Sequence, residues 1–265
     1  MEPWQAVVAL LQGLVEWLPI SSEGQTMLFV YNFATFPAES LLTLIVWLHL
    51  GTACAVLVRY PREILSIITV QDKNLFKLLL VATGCTAVTA IPLYILLKSS
   101  LSTFHGETLN TMVGMLLVFT AIILYLPTRS GTENVTTRAT SIKNAAVAGL
   151  IQGFAILPGL SRSGLTISSL LMQRVDKEAA MKLSFLMSVP AVLGIFAIEM
   201  ITGASLPPQM TPIDLAITEI IVFTVGLASM ESLLRLTKRI KFWKLCLVLG
   251  AIAIAFGLPG ILTAI

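Results

Sequence analysis

Two short stretches of this 265-residue chain carry side chains able to do acid–base, nucleophilic or anion-binding chemistry. In the first, QGLVEWLPISSEGQT, Gln12 and Glu16 stand four apart, so on a helix they share one face while Leu11, Leu14, Val15, Trp17 and Leu18 cover much of the rest. A helix break follows at Pro19, and then Ser21, Ser22, Glu23 and Gln25. A carboxylate on an apolar helix is costly unless partnered or used. Glu16 could form an ion pair, act as a base, or carry the proton of a phosphoryl transfer. Ser21 and Ser22 are candidate nucleophiles, and Glu23 and Gln25 could hold a cation, orient water or face solvent.

The second stretch, PGLSRSGLT, runs from Pro158 to Thr166. Pro158 and Gly159 break an incoming helix, and a new one is expected from Ser163 onward, with serine and Gly164 at its amino end. The first turn of a helix presents unpaired N–H groups and partial positive charge, which favour an anion. Arg162 adds a permanent charge and a planar fork of donors that matches phosphate oxygens. Ser161, Ser163 and Thr166 supply hydroxyls; the plainer alternative is that the serines only cap the helix and Arg162 snorkels to an interface. Together the stretches offer phosphate ligands on one side and acid, hydroxyl and amide on the other. Phosphoryl transfer needs chiefly that: positioning, and neutralisation of the equatorial oxygens.

The elements that must hold these residues lie in a membrane. Hydrophobic residues make up 56% of the chain and charged ones 12%, against about 25% in soluble domains, and the mean hydropathy is +0.91. The net charge of +3 does not point to nucleic acid. Six apolar runs, 41 to 58, 77 to 97, 109 to 126, 184 to 201, 213 to 234 and 245 to 263, are long enough to cross about 30 Å of hydrocarbon as helices. Lys and Arg crowd four connections, around 59 to 77, 129 to 143, 174 to 182 and 235 to 244. The others, 31 to 40, 98 to 108 and 202 to 212, hold only Lys98, so the positive-inside rule puts the first four in the cytoplasm.

Residues 11 to 26 and 151 to 166 match at an offset of 140: Gln12 with Gln152, Gly13 with Gly153, Ser21 with Ser161, Gly24 with Gly164 and Thr26 with Thr166. The loop charges put both ends of the second stretch on the cytoplasmic side; if the first folds likewise, it enters and leaves outside. The expected fold is therefore an all-α polytopic membrane protein, six transmembrane helices plus two re-entrant helical hairpins in an inverted-topology repeat. It forms a single membrane domain over 1 to 265, with repeat one about 1 to 127 and repeat two about 143 to 265. Broken backbone at membrane depth must be buried in protein or line a wet cavity, so the two tips should face each other. Cys54, Cys85 and Cys246 lie in apolar runs without metal spacing and read as packing residues.

At these motifs the chain resembles the undecaprenyl-pyrophosphate phosphatase family, also called the bacitracin-resistance family of integral membrane phosphatases. The family's signatures are a Glu or Gln, three residues and a Glu ahead of a proline-serine-serine segment, and PGxSRSxxT. The resemblance implies hydrolysis of a C55 polyprenyl pyrophosphate to the monophosphate carrier of cell-wall and surface-glycan assembly, in the plasma membrane, from a pocket open to the outer side. It makes Glu16 the essential acid, Ser22 the nucleophile and Arg162 the phosphate ligand. Gln12, Ser21, Gln25, Ser161, Ser163, Gly164 and Thr166 stand around the substrate. A divalent cation, Mg2+ or Ca2+, held through water by Glu16 or Glu23, is implied, and no organic cofactor. The partner is the polyprenyl pyrophosphate lipid rather than nucleic acid, and assembly is open between monomer and homodimer.

This chain departs from the family in two places. Gln12 stands where many bacterial members carry Glu, and SSEGQ replaces SSTGH, so Gln25 occupies the position of a histidine. His49, within a spanning run, and His105, in an external loop, are expected to be structural, leaving Glu16 to act alone or with Glu23. Of the remaining intramembrane acids Glu199, Glu219 and Glu231, Glu219 is expected to satisfy an interhelical hydrogen bond. The competing reading is a polyprenyl-phosphate transporter that uses the same pocket without hydrolysis.

Overall fold

The computed structural model describes residues 1–34, 36–37, 40–100, 106–131, 140–203, 206–236 and 241–263. Among these, every regular element is helical: α1 (Pro3–Val15), α2 (Ser22–Phe33), α3 (Leu41–Arg59), α4 (Pro61–Ile68), α5 (Lys73–Ser100), α6 (Gly106–Ser130), α7 (Ile142–Gly153, extended by a 3-10 turn Phe154–Ile156), α8 (Arg162–Met172), α9 (Lys177–Ile201), α10 (Pro212–Leu236) and α11 (Phe242–Thr263). Six of them, α3, α5, α6, α9, α10 and α11, are long and apolar enough to cross a membrane. They coincide with the six expected runs, and the chain is an all-α, multi-pass membrane protein.

The 59 to 77 connection holds more than a loop. Pro61 starts α4 where a missing N–H costs nothing, and Glu63 suits the positive end of its dipole. Leu65 and Ile68 lie exposed on α4, which suits a helix resting at the membrane interface. Lys182 of α9 lies 2.5 Å from Glu63, and the hydrogen bond from that ammonium holds the Glu63 carboxyl below its ordinary range.

The four short helices behave differently. Helices α1, α2, α7 and α8 have 13, 12, 12 and 11 residues. At 1.5 Å per residue each reaches only about 16–20 Å, well short of the hydrocarbon thickness. They pack in pairs, α1 on α2 and α7 on α8. Contacts at their open ends set their direction. Gln5 near the start of α1 donates to the Gln209 carbonyl at 3.0 Å, and Asn32 near the end of α2 meets Asn110 near the start of α6 at 3.1 Å. In the second pair, Asn144 near the start of α7 donates to Gln173 just past α8 at 3.0 Å, and Met172 lies 3.3 Å from Ser130 at the end of α6. Helix α6 thus begins beside the open ends of one pair and finishes beside those of the other.

Elements of the two halves interlock. Helix α1 packs on α10 and α7 on α5, while α6 packs along α11 and α3 along α9. Small residues permit this closeness: a Cβ at Gly114 would lie 2.8 Å from the Gly250 carbonyl, and one at Gly250 2.7 Å from the Gly114 carbonyl. Among the described residues two larger apolar cores result, each drawing on both halves. One gathers Val8, Met27, Leu44, Leu109 and Val222, the other Trp17, Val56, Leu79, Ala148, Leu170 and Leu186. Two smaller clusters anchor the tips, one around Ile20 and the other around Leu160.

Candidate active site

Helix α1 ends at Val15, but Glu16 keeps helical dihedrals and its N–H still bonds the Gln12 carbonyl at 3.1 Å. The i, i+4 face therefore survives, and Gln12 Nε2 donates to Glu16 Oε2 at 3.0 Å. Around Pro19 the chain turns until Ser21, with φ +59°, caps α2. That left-handed backbone turns the Ser21 hydroxyl to accept two N–H groups, Gly24 of its own helix at 3.2 Å and Gly159 of the facing tip at 3.1 Å. The second tip turns through Gly159, φ +110°, where a Cβ would lie 2.6 Å from the Val113 carbonyl. Ser161 then caps α8 by accepting the Gly164 N–H at 3.1 Å, so the helix starts at Arg162, one residue before the expected Ser163. Thr120 of α6 clamps this turn, donating to the Gly159 carbonyl at 3.0 Å and accepting the Ser161 N–H at 3.3 Å.

The tips meet, as expected. Arg162 Nη2 forms an ion pair with Glu16 Oε1. Ser22 Oγ donates to Glu16 Oε2 at 2.6 Å, and Ser163 Oγ donates to the Leu18 carbonyl at 3.3 Å. Glu16 is 5% exposed. Arg162 Nη1, on the same guanidinium, is buried without a hydrogen-bond partner.

The structure brings to this cluster one side chain that the sequence reading left out. His49, expected to be structural, reaches the centre of this cluster from α3, its Nε2 3.3 Å from Glu16 Oε2 and 3.5 Å from Glu23 Oε1, while Nδ1 lies 2.7 Å from the Ile45 carbonyl. A buried ionisable ring inside a spanning segment was the signal available. His105 lies outside the described residues.

The expected contact residues divide into two groups. Glu16, Ser21, Ser22, Glu23, Ser161 and Arg162 line, with His49 and Leu160, a cleft of about 10 Å³, room for roughly one water-sized group. The others brace it. Gln25 donates to the Ile20 carbonyl at 3.3 Å, and Thr166 bonds Ser184 of α9 at 2.6 Å. Gly164 packs against Pro19 across the tips, where a Cβ would lie 3.3 Å from the proline ring.

A second cavity of about 170 Å³ runs from the tips between α3, α5 and α9, walled by Leu42, Ile45, Ala90, Tyr94, Val192 and Ile198. Glu23, His49 and Arg162 border both cavities.

The donor set does not fit a resident divalent cation. Among the described residues no group of three His, Cys, Asp or Glu side chains is arranged to hold a metal ion. Both Glu16 oxygens are engaged, one by Arg162 and the other by Ser22, Gln12 and His49, which leaves Glu23 beside it as a single carboxylate. Glu199 is buried and paired with Lys98 at 2.5 Å. The carboxyl of Glu219 on α10 is buried against the backbone of Gly51 on α3. The side chain of Glu231 lies outside the described residues. All three cysteines are free thiols.

Hydroxyl, carboxylate, imidazole and guanidinium gathered where two broken helices meet, inside a bundle of six apolar helices, define an integral membrane protein with a buried polar centre. Within that class the chain belongs to the family of bacitracin resistance protein BacA, whose model matches residues 5–253. An undecaprenyl-diphosphatase of Methanothrix thermoacetophila is 38% identical over 256 residues, 96% of this chain and 97% of that one. That of Methanopyrus kandleri is 37% identical over 262 residues, 96% of each chain. Another, from Haloarcula marismortui, is 31% identical over 268 residues, 95% of this chain and 96% of its own.

Proposed function

We propose that this chain hydrolyses a polyprenyl pyrophosphate, undecaprenyl pyrophosphate in the terms its relatives' name carries, to the lipid monophosphate and inorganic phosphate, recycling a glycan carrier. The observation that carries this reading is the Ser22 hydroxyl 2.6 Å from Glu16 Oε2, with Arg162 on the other oxygen of the same carboxylate. A hydroxyl hydrogen-bonded to a buried carboxylate is an activated nucleophile. Ser22 attacks the terminal phosphorus and Glu16 takes its proton. Arg162 holds the non-bridging oxygens with the Ser161 hydroxyl and the first turn of α8. Its buried, unpartnered Nη1 supports this role, because a phosphate oxygen supplies the acceptor that the protein does not. The small cleft requires Arg162 to give Glu16 up, at least in part, as phosphate enters.

The apolar cavity takes the first isoprene units. It extends from the tips toward Tyr94 and Ile198, near the ends of α5 and α9 that the loop charges assign to the outside. That direction supports a pocket opening to the outer face of the cell membrane. The duplicated halves, about 1 to 127 and 143 to 265, are read as inverted across the bilayer, supported by an α6 that begins beside the open ends of one pair and finishes beside those of the other. A transporter reading has no comparable support, since a paired serine and carboxylate serves cleavage rather than carriage. Purified protein given farnesyl or longer pyrophosphates releases inorganic phosphate and the matching monophosphate. Tight binding of the lipid phosphate with no release overturns the proposal in favour of transport.

A further inference from the structure

We infer that His49 is the general acid that protonates the leaving lipid phosphate; the inference rests on the phosphatase reading above. Position is the first argument. The terminal phosphate belongs in the polar cleft with Ser22, Ser161 and Arg162, and the tail in the apolar cavity. The bridging oxygen between them must lie where the two cavities join, and His49 borders both. Gln25 has no proton to give at neutral pH and is turned to the Ile20 carbonyl.

Hydrogen-bond chemistry is the second argument. The Ile45 carbonyl, 2.7 Å from Nδ1, only accepts, so Nδ1 carries a hydrogen. Nε2 faces oxygens of Glu16 and Glu23 at 3.3 and 3.5 Å. An imidazole that donates at both nitrogens is the protonated ring, and its transferable proton sits at Nε2. Glu16 cannot perform this task as well, because it must receive the serine proton at the oxygen to which Ser22 already donates.

The steps then balance. The Ser22 Oγ–P bond forms and the P–O bond to the bridging oxygen breaks, the electron pair leaving on that oxygen. The serine proton goes to Glu16, and the His49 Nε2 proton goes to the leaving oxygen. In the second half water attacks the phosphoserine, the P–Oγ bond breaks, neutral His49 takes the water proton and Glu16 returns its proton to Ser22. One water is consumed and both groups are restored.

The charged groups around the ring are Glu16 after α1, Glu23 on α2, Arg162 on α8 and Glu219 on α10, while α9 presents Pro190 and Val192 toward the shared cavity. The test uses the full-length protein in detergent with farnesyl pyrophosphate. The expectation for His49→Gln is a kcat about 100-fold lower with KM changed less than about threefold. For the unaltered protein kcat falls on the alkaline side as the imidazole loses its proton, and that limb is absent from the variant. A kcat within about threefold of the unaltered protein, or an alkaline limb that survives in the variant, overturns the assignment. His49→Asn, which keeps a donor within reach of the Ile45 carbonyl, is read by the same criteria if the glutamine variant does not elute as folded protein. Absence of phosphate release from the unaltered protein would instead overturn the phosphatase reading itself.

Discussion

Ser21 and Ser22 are adjacent and chemically identical, yet the backbone gives them different work. The Ser21 hydroxyl accepts two backbone N–H groups and ties the tips together, while Ser22 donates to Glu16. Ser22→Ala should lower kcat on the order of 10³-fold or more with little change in thermal midpoint, because a surrounding network without its nucleophile keeps only positioning. Ser21→Ala should do the reverse. It leaves two buried N–H groups without their acceptor, at about 1–3 kcal/mol, and lowers the melting temperature more than the turnover. If Ser21→Ala abolished turnover and Ser22→Ala did not, the nucleophile would be the other serine. Arg162→Ala should abolish phosphate release while the protein still elutes as folded, and retained activity would count against the phosphate pocket. At this scale the two motifs were legible because polar residues around a break in an apolar run have few structural excuses. His49 was not: it stands in a continuous apolar helix, and a single sequence gives no means of telling which face of α3 turns toward Glu16.

Helices α1, α2, α7 and α8 are too short to span, and their value lies in where they stop. The stop at the second tip depends on Gly159, whose φ of +110° disfavours any other residue and whose missing Cβ admits the Val113 carbonyl of α6. Gly159→Ala should therefore cost about 1–3 kcal/mol and lower kcat as well, since a shifted turn moves Ser161 and Arg162 together. Thermal unfolding followed by circular dichroism, beside phosphate release, checks both effects; an unchanged midpoint would show that the turn has room to adjust. Each spanning helix contains its expected run, since lipid imposes a length and a composition that few other environments do, but α9 begins at Lys177 rather than at 184 because the polar first turns lie outside the apolar run. Helix α4 was hidden because the 59 to 77 connection carries the charges of a cytoplasmic loop, and those same charges suit an interfacial helix. The α8 start moved by one residue because Ser161, rather than Arg162, was free to cap it.

For the molecule as a whole, orientation decides whether the site is reachable. The open ends of α1 and α2 lie with the start of α6, and those of α7 and α8 with its end, so an inverted arrangement in the bilayer has one checkable consequence. In a background with Cys54, Cys85 and Cys246 replaced by alanine, single cysteines at the exposed positions Asn32 and Ser99 should react with an impermeant maleimide added to intact cells. Cysteines at the exposed Ser141, Arg174 and Arg62 should react only after the membrane is opened. Labelling of Ser141→Cys and Arg174→Cys from opposite sides would make α7 and α8 a spanning pair rather than a re-entrant one. The arrangement matters for chemistry because neither half contains a complete centre. Glu16, Ser22 and His49 come from the first half and Arg162 from the second, so attraction between an anionic and a cationic tip draws the two helix pairs together where both groups are shielded from water. An incoming pyrophosphate meets that attraction as a competitor for Arg162. Removing the guanidinium should thus weaken both phosphate binding and the contact between the tips. Arg162→Lys keeps a charge but not the planar fork, and should restore the tip contact, read as recovery of the thermal midpoint, without restoring turnover.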